Sequence, residues 1–174
     1  MSGLLFARAS RDVRAFFIER HHTMAGIDFD TIAGTKLYIS TAAPAAQTVA
    51  AFEALTWVEI GQITNVGSVE GREYTMATLS TVGDSQDREK KGSFKLPNAE
   101  FECAWVPTDA GQILLKAASK DYSVPSFKLV GQDADDDIAF FTAQVAKFVR
   151  TGGQSNDAVK GNFTLLRQTD TITA

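Results

Sequence analysis

The segment TKLYIS, from Thr35 to Ser40, sets Leu37 and Ile39 against Lys36 and Tyr38, the period-two alternation of a strand with one buried face. A loop of Ala, Pro and Gln follows to about residue 51. From Trp57 to Val66, WVEIGQITNV puts Val58 and Ile60 on one face and changes phase at Gly61, so that Ile63 is the next apolar residue. This reads as one long strand with a bulge. The clearest alternation is AEFECAW, with Phe101, Cys103 and Trp105 facing one way and Glu100, Glu102 and Ala104 the other. A helix over about 108–120 is predicted next. Pro107, Thr108 and Asp109 are its start signals, Asp109 and Gln112 are spaced like a capping box, and Ala110, Ile113 or Leu114, and Ala117 recur at helical spacing. SVPSFKLV, IAFFTAQVAKFV and AVKGNFTLLRQT then read as three further extended segments, separated by the turn-forming clusters GQDADDD and TGGQSND. The pattern predicts a mainly β fold: an antiparallel β-sandwich or barrel with one flanking α-helix over an open end or edge.

The segment from Gly67 to Lys95 does not fit a compact sandwich. It is mostly polar and holds four glycines, yet it includes Tyr74, Met76 and Leu79. Structureless loops longer than about 15 residues are uncommon in compact domains and are usually functional or unstructured. In DSQDREKK, Asp84, Asp87 and Glu89 balance Arg88, Lys90 and Lys91. A long loop of this kind is able to reach a neighbouring copy; the competing reading is a solvated mobile hairpin.

Residues 1–23 differ from the rest. Four arginines against Asp12 and Glu19 give them +2, leaving −6 on residues 24–174. Met24, followed by the small residues Ala25 and Gly26, is a candidate true start, which makes 1–23 an N-terminal extension to a domain over 24–174. The alternatives are an amphipathic appendage and an extension without structure. His21 and His22, the only histidines, read as solvated rather than metal-bound.

Composition narrows the function. With 174 residues, 44% apolar and 22% charged, the chain suits one globular domain with a core that needs no staples. The lone Cys103 excludes an internal disulfide, consistent with folding in a reducing cytoplasm. No apolar run suffices to cross a bilayer. A formal charge of −4 argues against a general nucleic-acid binder, which needs a basic face.

Catalytic patterns are weak. Asp133, Asp135 and Asp137 alternate like the opening of a calcium loop, but Ile138 stands where Gly is needed and Gln144 where a bidentate Glu is needed. Glu100 and Glu102 share a strand face without the apolar cleft that would raise one of them for glycoside chemistry. Gly83, Gly92 and Lys91 lack phosphate-loop spacing. Cys103 has no histidine base anywhere in 24–174 and reads as core packing. The sequon at Asn162, Phe163 and Thr164 falls inside a predicted strand. No enzyme activity, metal or cofactor is expected.

The order of segments across nearly all of 24–174 resembles the major tail tube proteins of long-tailed, non-contractile (siphovirus-type) bacteriophages. The resemblance rests on IDFDTIAGTKLYIS, on TWVEIGQITNVGSVEGREY running into TLSTVGDSQDREKKGSFKLPNAEFECAW, on TDAGQILLKAASKDYSVPSFKL, and on FTAQVAKFV followed by SNDAVKGNFTLLRQT. It implies a β-sandwich with one flanking helix, assembled as stacked hexameric rings around a conduit for DNA ejection. The segment 67–95 then becomes an inter-subunit and inter-ring loop, with Tyr74, Met76, Leu79, Asp84, Asp87, Arg88, Glu89, Lys90 and Lys91 as its interface residues. The implied partners are other copies of the chain, a tape measure protein, and tail terminator and tail tip proteins; viral DNA passes through the lumen without sequence-specific binding, and no membrane is involved. The implied location is the virion tail, after assembly in the host bacterial cytoplasm. Two other classes remain open: a cytosolic β-sandwich ligand-binding domain with aromatic residues in an exposed groove, and the tube protein of a type VI-like secretion system.

Overall fold

A computed structural model describes residues 32–83, 85–132 and 138–174. In chain order these residues form β1 (Lys36–Ser40), α1 (Val49–Glu53), β2 (Val58–Ile60), β3 (Ile63–Asn65), β4 (Glu73–Leu79), β5 (Arg88–Lys95), β6 (Ala99–Ala104), α2 (Ala110–Ala118), β7 (Ser126–Val130), β8 (Ile138–Thr151), β9 (Lys160–Arg167) and β10 (Ile172–Thr173). All the pairings are antiparallel. The mainly β, sandwich-like class expected from the alternation is what the chain adopts, with two helices instead of one among the described residues.

The strands run in the order β2-β1-β7-β8-β9-β6-β3, with β10 also on β8. Two features curl this path into a sandwich. First, β8 serves both halves: Ile138–Thr142 pair with β7 and Ala143–Thr151 with β9. A register shift between Val145 and Lys147 marks the bend, as an extra residue kinks and twists a strand. Second, the two ends of the path, β2 and β3, are consecutive in the chain. WVEIGQITNV is therefore not one bulged strand. It breaks at Gly61 and Gln62, where Gln62 has φ 61°, and its halves pair with β1 and with β6. The phase change seen in the sequence was real, but its cause is a crossing between sheet halves.

Between the halves, Leu37, Ile39, Phe101, Cys103, Phe127, Phe141, Phe163 and Leu165 are buried in one core. Phe101 stacks on Phe163 with centroids 5.2 Å apart, and Phe127 on Phe141 at 5.6 Å. The buried face of β6 is the one the sequence indicates. In β8, by contrast, Ala139 to Ala143 are buried on both faces. Phe140 points away from the main core onto Phe52 of α1, 5.3 Å away, and Trp57 at 6.0 Å. That contact explains α1, which lies where a loop was expected. At five residues and without a side-chain cap it has no helical periodicity to detect, and burial of Phe52 holds it.

Helix α2 lies within the segment read as helical but is rotated from the expected phase. Gly111, Gln112, Leu115 and Ala118 face inward and Leu114, one of the two residues expected on that face, packs half-buried against the core, whereas Ala110, Ile113 and Ala117 are exposed. The reason is Gly111: a Cβ there would lie 2.4 Å from the Glu59 carbonyl oxygen and 2.7 Å from Ile60 Cα, so only glycine lets α2 sit on β2. The expected capping box is half formed. The Asp109 carboxylate accepts from Gln112 N at 2.8 Å and from Gly61 N at 3.3 Å. The Gln112 side chain accepts from Val106 N and donates to the carbonyls of Ala104 and Gly61. These bonds clamp α2 to the break between β2 and β3.

Candidate assembly surface

The segment Gly67 to Lys95, read either as a long loop that reaches a neighbouring copy or as a solvated hairpin, is largely β4 and β5, an exposed two-stranded hairpin that forms its own sheet. Glycines and charges hid the strands from a composition-based reading, because neither strand buries a face to enforce alternation. Every described residue of β5 is exposed, as is every residue of β4 except half-buried Tyr74. Large apolar side chains are among them: Met76 at 50%, Leu79 at 61%, Phe94 at 49%, and a fully exposed Val82 near the turn.

Cross-strand register sorts the hairpin into two chemically distinct faces. Tyr74 lies opposite Phe94, Met76 opposite Lys91 and Thr78 opposite Glu89. These share one face, since directly paired residues project to the same side. Glu73 with Lys95, Ala77 with Lys90, and Leu79 with Arg88 form the other. A register shift between Tyr74 and Met76, opposite Gly92 and Ser93, keeps Phe94 on the Tyr74 side. The first face is aromatic with a cation over it: the Tyr74 and Phe94 rings are 5.7 Å apart, Lys91 Nζ is 4.8 Å from the Tyr74 ring, and Arg72 is 4.6 Å from Phe94. The second is basic, relieved by a Lys95–Glu73 pair at 3.2 Å. Asp87, at the turn, accepts from Ser80 Oγ at 2.6 Å. Asp84 lies outside the described residues, as do Asp133, Asp135 and Asp137, His21 and His22, and the whole of 1–23.

The hairpin is fastened at its root by residues that the sequence reading did not single out. Arg72 makes a two-pronged ion pair with Asp170, donating through Nε at 3.1 Å and through a second nitrogen. That pairing raises Arg72 above the usual arginine range and, through the Arg72 hydrogen bond, holds the Asp170 carboxyl below its ordinary 3.8. Arg167 is 6% exposed; it donates to the Gly71 carbonyl at 3.4 Å and to Thr171 Oγ1 at 3.1 Å, while its Nε has no hydrogen-bond partner among the described residues. Burial lowers its pKa from the usual range. Thr171 donates in turn to the Val69 carbonyl. Gly71, with φ 91°, makes the turn into β4. Apart from Arg167–Thr171, these contacts join residues about 100 positions apart in sequence, so no local signal could have revealed them.

Elsewhere the chemistry is quiet. Glu102 pairs with Lys160 at 3.1 Å, and Glu100 is exposed beside it. Cys103 is fully buried and donates to the Gly161 carbonyl at 3.4 Å; desolvation pushes its thiol up to about 11, far from thiolate reactivity. Asn162 of the sequon donates to Thr151 Oγ1 within the sheet at 3.2 Å. Among the described residues, no three His, Cys, Asp or Glu side chains come together as a metal site, and no helix is long and apolar enough to cross a membrane. One apolar groove of about 200 Å³ opens between the start of α2 and β8, lined by Trp105, Ile113, Lys116 and Phe148 among others.

No protein-family model matches the chain, and no curated protein matches it in sequence. Solved structures do match in fold. The SPP1 tail tube superposes with a TM-score of 0.56 at 17% identity, over 82% of this chain and 78% of that one. The tube-and-sheath complex of an extracellular contractile injection system, PVC, gives 0.54 at 7% identity, over 86% and 93%. A component of the baseplate of the anti-feeding prophage gives 0.53 at 8%, over 80% and 90%. The chain therefore has the tail tube fold.

Proposed function

We propose that the chain is a structural, non-enzymatic tube subunit of a siphovirus-type phage tail, which stacks as hexameric rings around a conduit for DNA ejection. The observation that carries this reading is the β4–β5 hairpin on a tail tube fold. A lone two-stranded hairpin is marginal in water, and exposed apolar side chains in one arm mark a contact surface. A partner that covers the arm supplies the burial it lacks. Identical subunits in a ring meet through unlike patches, and an arm that leaves the sandwich suits such a contact. The charge fits the conduit, since a domain with −6 over 24–174 repels phosphates and lets DNA slide. Tape measure, tail terminator and tail tip proteins are the further partners, and the virion tail is the location, reached from the host cytoplasm.

The likeness extends to a contractile injection system, so a tube serving that kind of machine is the neighbouring alternative. The small-molecule binder fares less well: the aromatic groove, at about 200 Å³, is smaller than the roughly 300–1,000 Å³ of most ligand pockets, and the clefts of about 360 and 350 Å³ at Arg72–Asp170 and at Gly152–Asp157 hold no aromatic side chain. Negative-stain microscopy of purified protein tests the proposal. Rings or tubes at raised concentration are expected, and a variant with residues 75–92 replaced by a short turn should remain monomeric. A wild-type protein that sediments as a monomer at every concentration, with tail tip components added, would overturn it.

A further inference from the structure

Two open clefts of similar size, about 360 Å³ at the hairpin root and about 350 Å³ at the β8–β9 turn, differ in how their cations are partnered. At the β8–β9 turn, Lys160 is paired with Glu102 at 3.1 Å. The root cleft is lined by Arg72, Arg167, Thr171 and Thr173 among others, and its two guanidinium groups are served unequally. Arg72, half exposed on the rim, takes the Asp170 carboxylate with two prongs. Arg167 is buried, bonds only the neutral oxygens of Gly71 and Thr171, and forms no ion pair among the described residues.

A guanidinium taken out of water needs a counter-ion or a full set of acceptors, and Arg167 has neither, since its Nε is also unbonded among the described residues. Burial accordingly lowers its pKa, and the carboxylates of Asp170 and Glu70 offset this only from beyond ion-pair distance. Both residues that Arg167 does bond, Gly71 and Thr171, line the cleft, so the guanidinium lies in the cleft wall. Thr173 adds an exposed hydroxyl to the same wall. An unmatched buried cation, a second guanidinium and open space therefore meet at one place, which the β8–β9 cleft does not repeat.

We infer that the root cleft binds a small oxyanion of the phosphate class, held by Arg167 and Arg72 together with the Thr173 hydroxyl. Guanidinium groups present paired N–H donors that match phosphate oxygens, and the anion gives Arg167 the counter-ion it lacks. Donors come from the turn into β4 and from the C-terminal segment, an arrangement that suits a tetrahedral anion better than a flat carboxylate. Glu70 and Asp170 balance the two arginines in formal charge, so binding is weak and saturates in the millimolar range. The bound anion bridges the turn into β4 and the C-terminal segment and so stiffens the arm where it leaves the sandwich. Every group in the site belongs to one chain, and the site stands or falls independently of the tube reading.

The test titrates the full chain, in dilute solution at neutral pH, with inorganic phosphate against sodium chloride at constant ionic strength, and follows backbone amides by NMR. The amides of Gly71, Arg72, Thr171 and Thr173 should move along one saturating curve while those of Gly152, Gly153 and Asp157 at the other cleft stay in place. Shifts that never saturate, no shifts, or equal shifts at both clefts overturn the inference. Acetate at the same concentrations should give a clearly smaller response, and an equal one overturns the assignment to the phosphate class. Arg167→Gln removes the unmatched cation and should abolish the saturating shifts. Thr173→Glu reads the same point without touching a buried residue: it sets a carboxylate on the cleft wall in place of the anion and should raise the half-saturating phosphate concentration about tenfold or more. A Thr173→Glu curve that overlays the wild type overturns the inference, whether or not Arg167→Gln folds.

Discussion

β9 and β5 are each eight residues long and each has an antiparallel neighbour, yet they live in different solvents. Along β9, Gly161, Phe163, Leu165 and Arg167 are buried at every second position, and β5 buries nothing. Backbone pairing differs, since β9 is bonded on both edges, to β8 and β6, and β5 on one edge only, to β4. Side-chain burial, worth about 25 cal/mol per Å² of apolar surface, differs as well, and of the two strands only β9 collects it within the described residues. The sandwich has its own core, while the hairpin is a strand pair that buries almost none of its side chains among the described residues. Its root is correspondingly polar and specific, with Arg72, Arg167 and Asp170 setting where the arm leaves the sandwich instead of a core doing so.

The comparison breaks most readily in the sandwich. Phe163→Ala removes a ring stacked on Phe101 and edge-on to Phe148 and should cost about 3–5 kcal/mol, lowering the thermal midpoint by roughly 10 °C or more. Calorimetry checks it; a shift of a degree or two would mean that the stacked rings are not the centre of stability. Gly111→Ala drives a methyl group into the β2 backbone and should cost about 1–3 kcal/mol by overpacking. A melt equal to wild type would show that α2 is free to lift.

Substitutions in the hairpin should spare the fold. Reversing Arg88, Lys90 and Lys91 to Glu should leave the monomer melt within about 1 kcal/mol of wild type, as exposed charges contribute little, and should abolish assembly. Because Lys90 and Lys91 lie on different faces, the single reversals sharpen the point. If one face contacts a neighbouring copy and the other faces solvent, sedimentation will separate Lys90→Glu from Lys91→Glu, and identical behaviour would argue that both faces are covered.

The smallest effect concerns the root. A carboxyl whose pKa is depressed on folding contributes stability above its unfolded pKa, and that contribution is lost as pH falls through the folded value. The Arg72–Asp170 pair should therefore be intact at neutral pH and open only below the ordinary 3.8. An NMR titration of Asp170 should give a midpoint under that value, moving upward in Arg72→Ala. A midpoint unchanged by Arg72→Ala would remove the ion pair from the account of the root.

Much of this was legible along the chain. Where one face of a strand is buried, as in β1, β6 and β9, alternation is obligatory and can be read directly from Leu37 and Ile39 or from Phe101 and Cys103. The capping residue Asp109 and the start of α2 were legible for the same reason, since local chemistry and final structure coincide there. The order of segments also carried the likeness to tail tube proteins. Tertiary structure alone decided the rest. It split Trp57–Val66 between two sheet halves, made α1 from a stretch with no periodicity, and turned α2 until Gly111 met β2. It also paired β4 with β5 without a core and tied their root to Asp170, 98 residues from Arg72. In each case the deciding contact is between residues far apart in sequence, or the strands bury no face of their own, and neither leaves a local pattern of hydrophobic and polar positions.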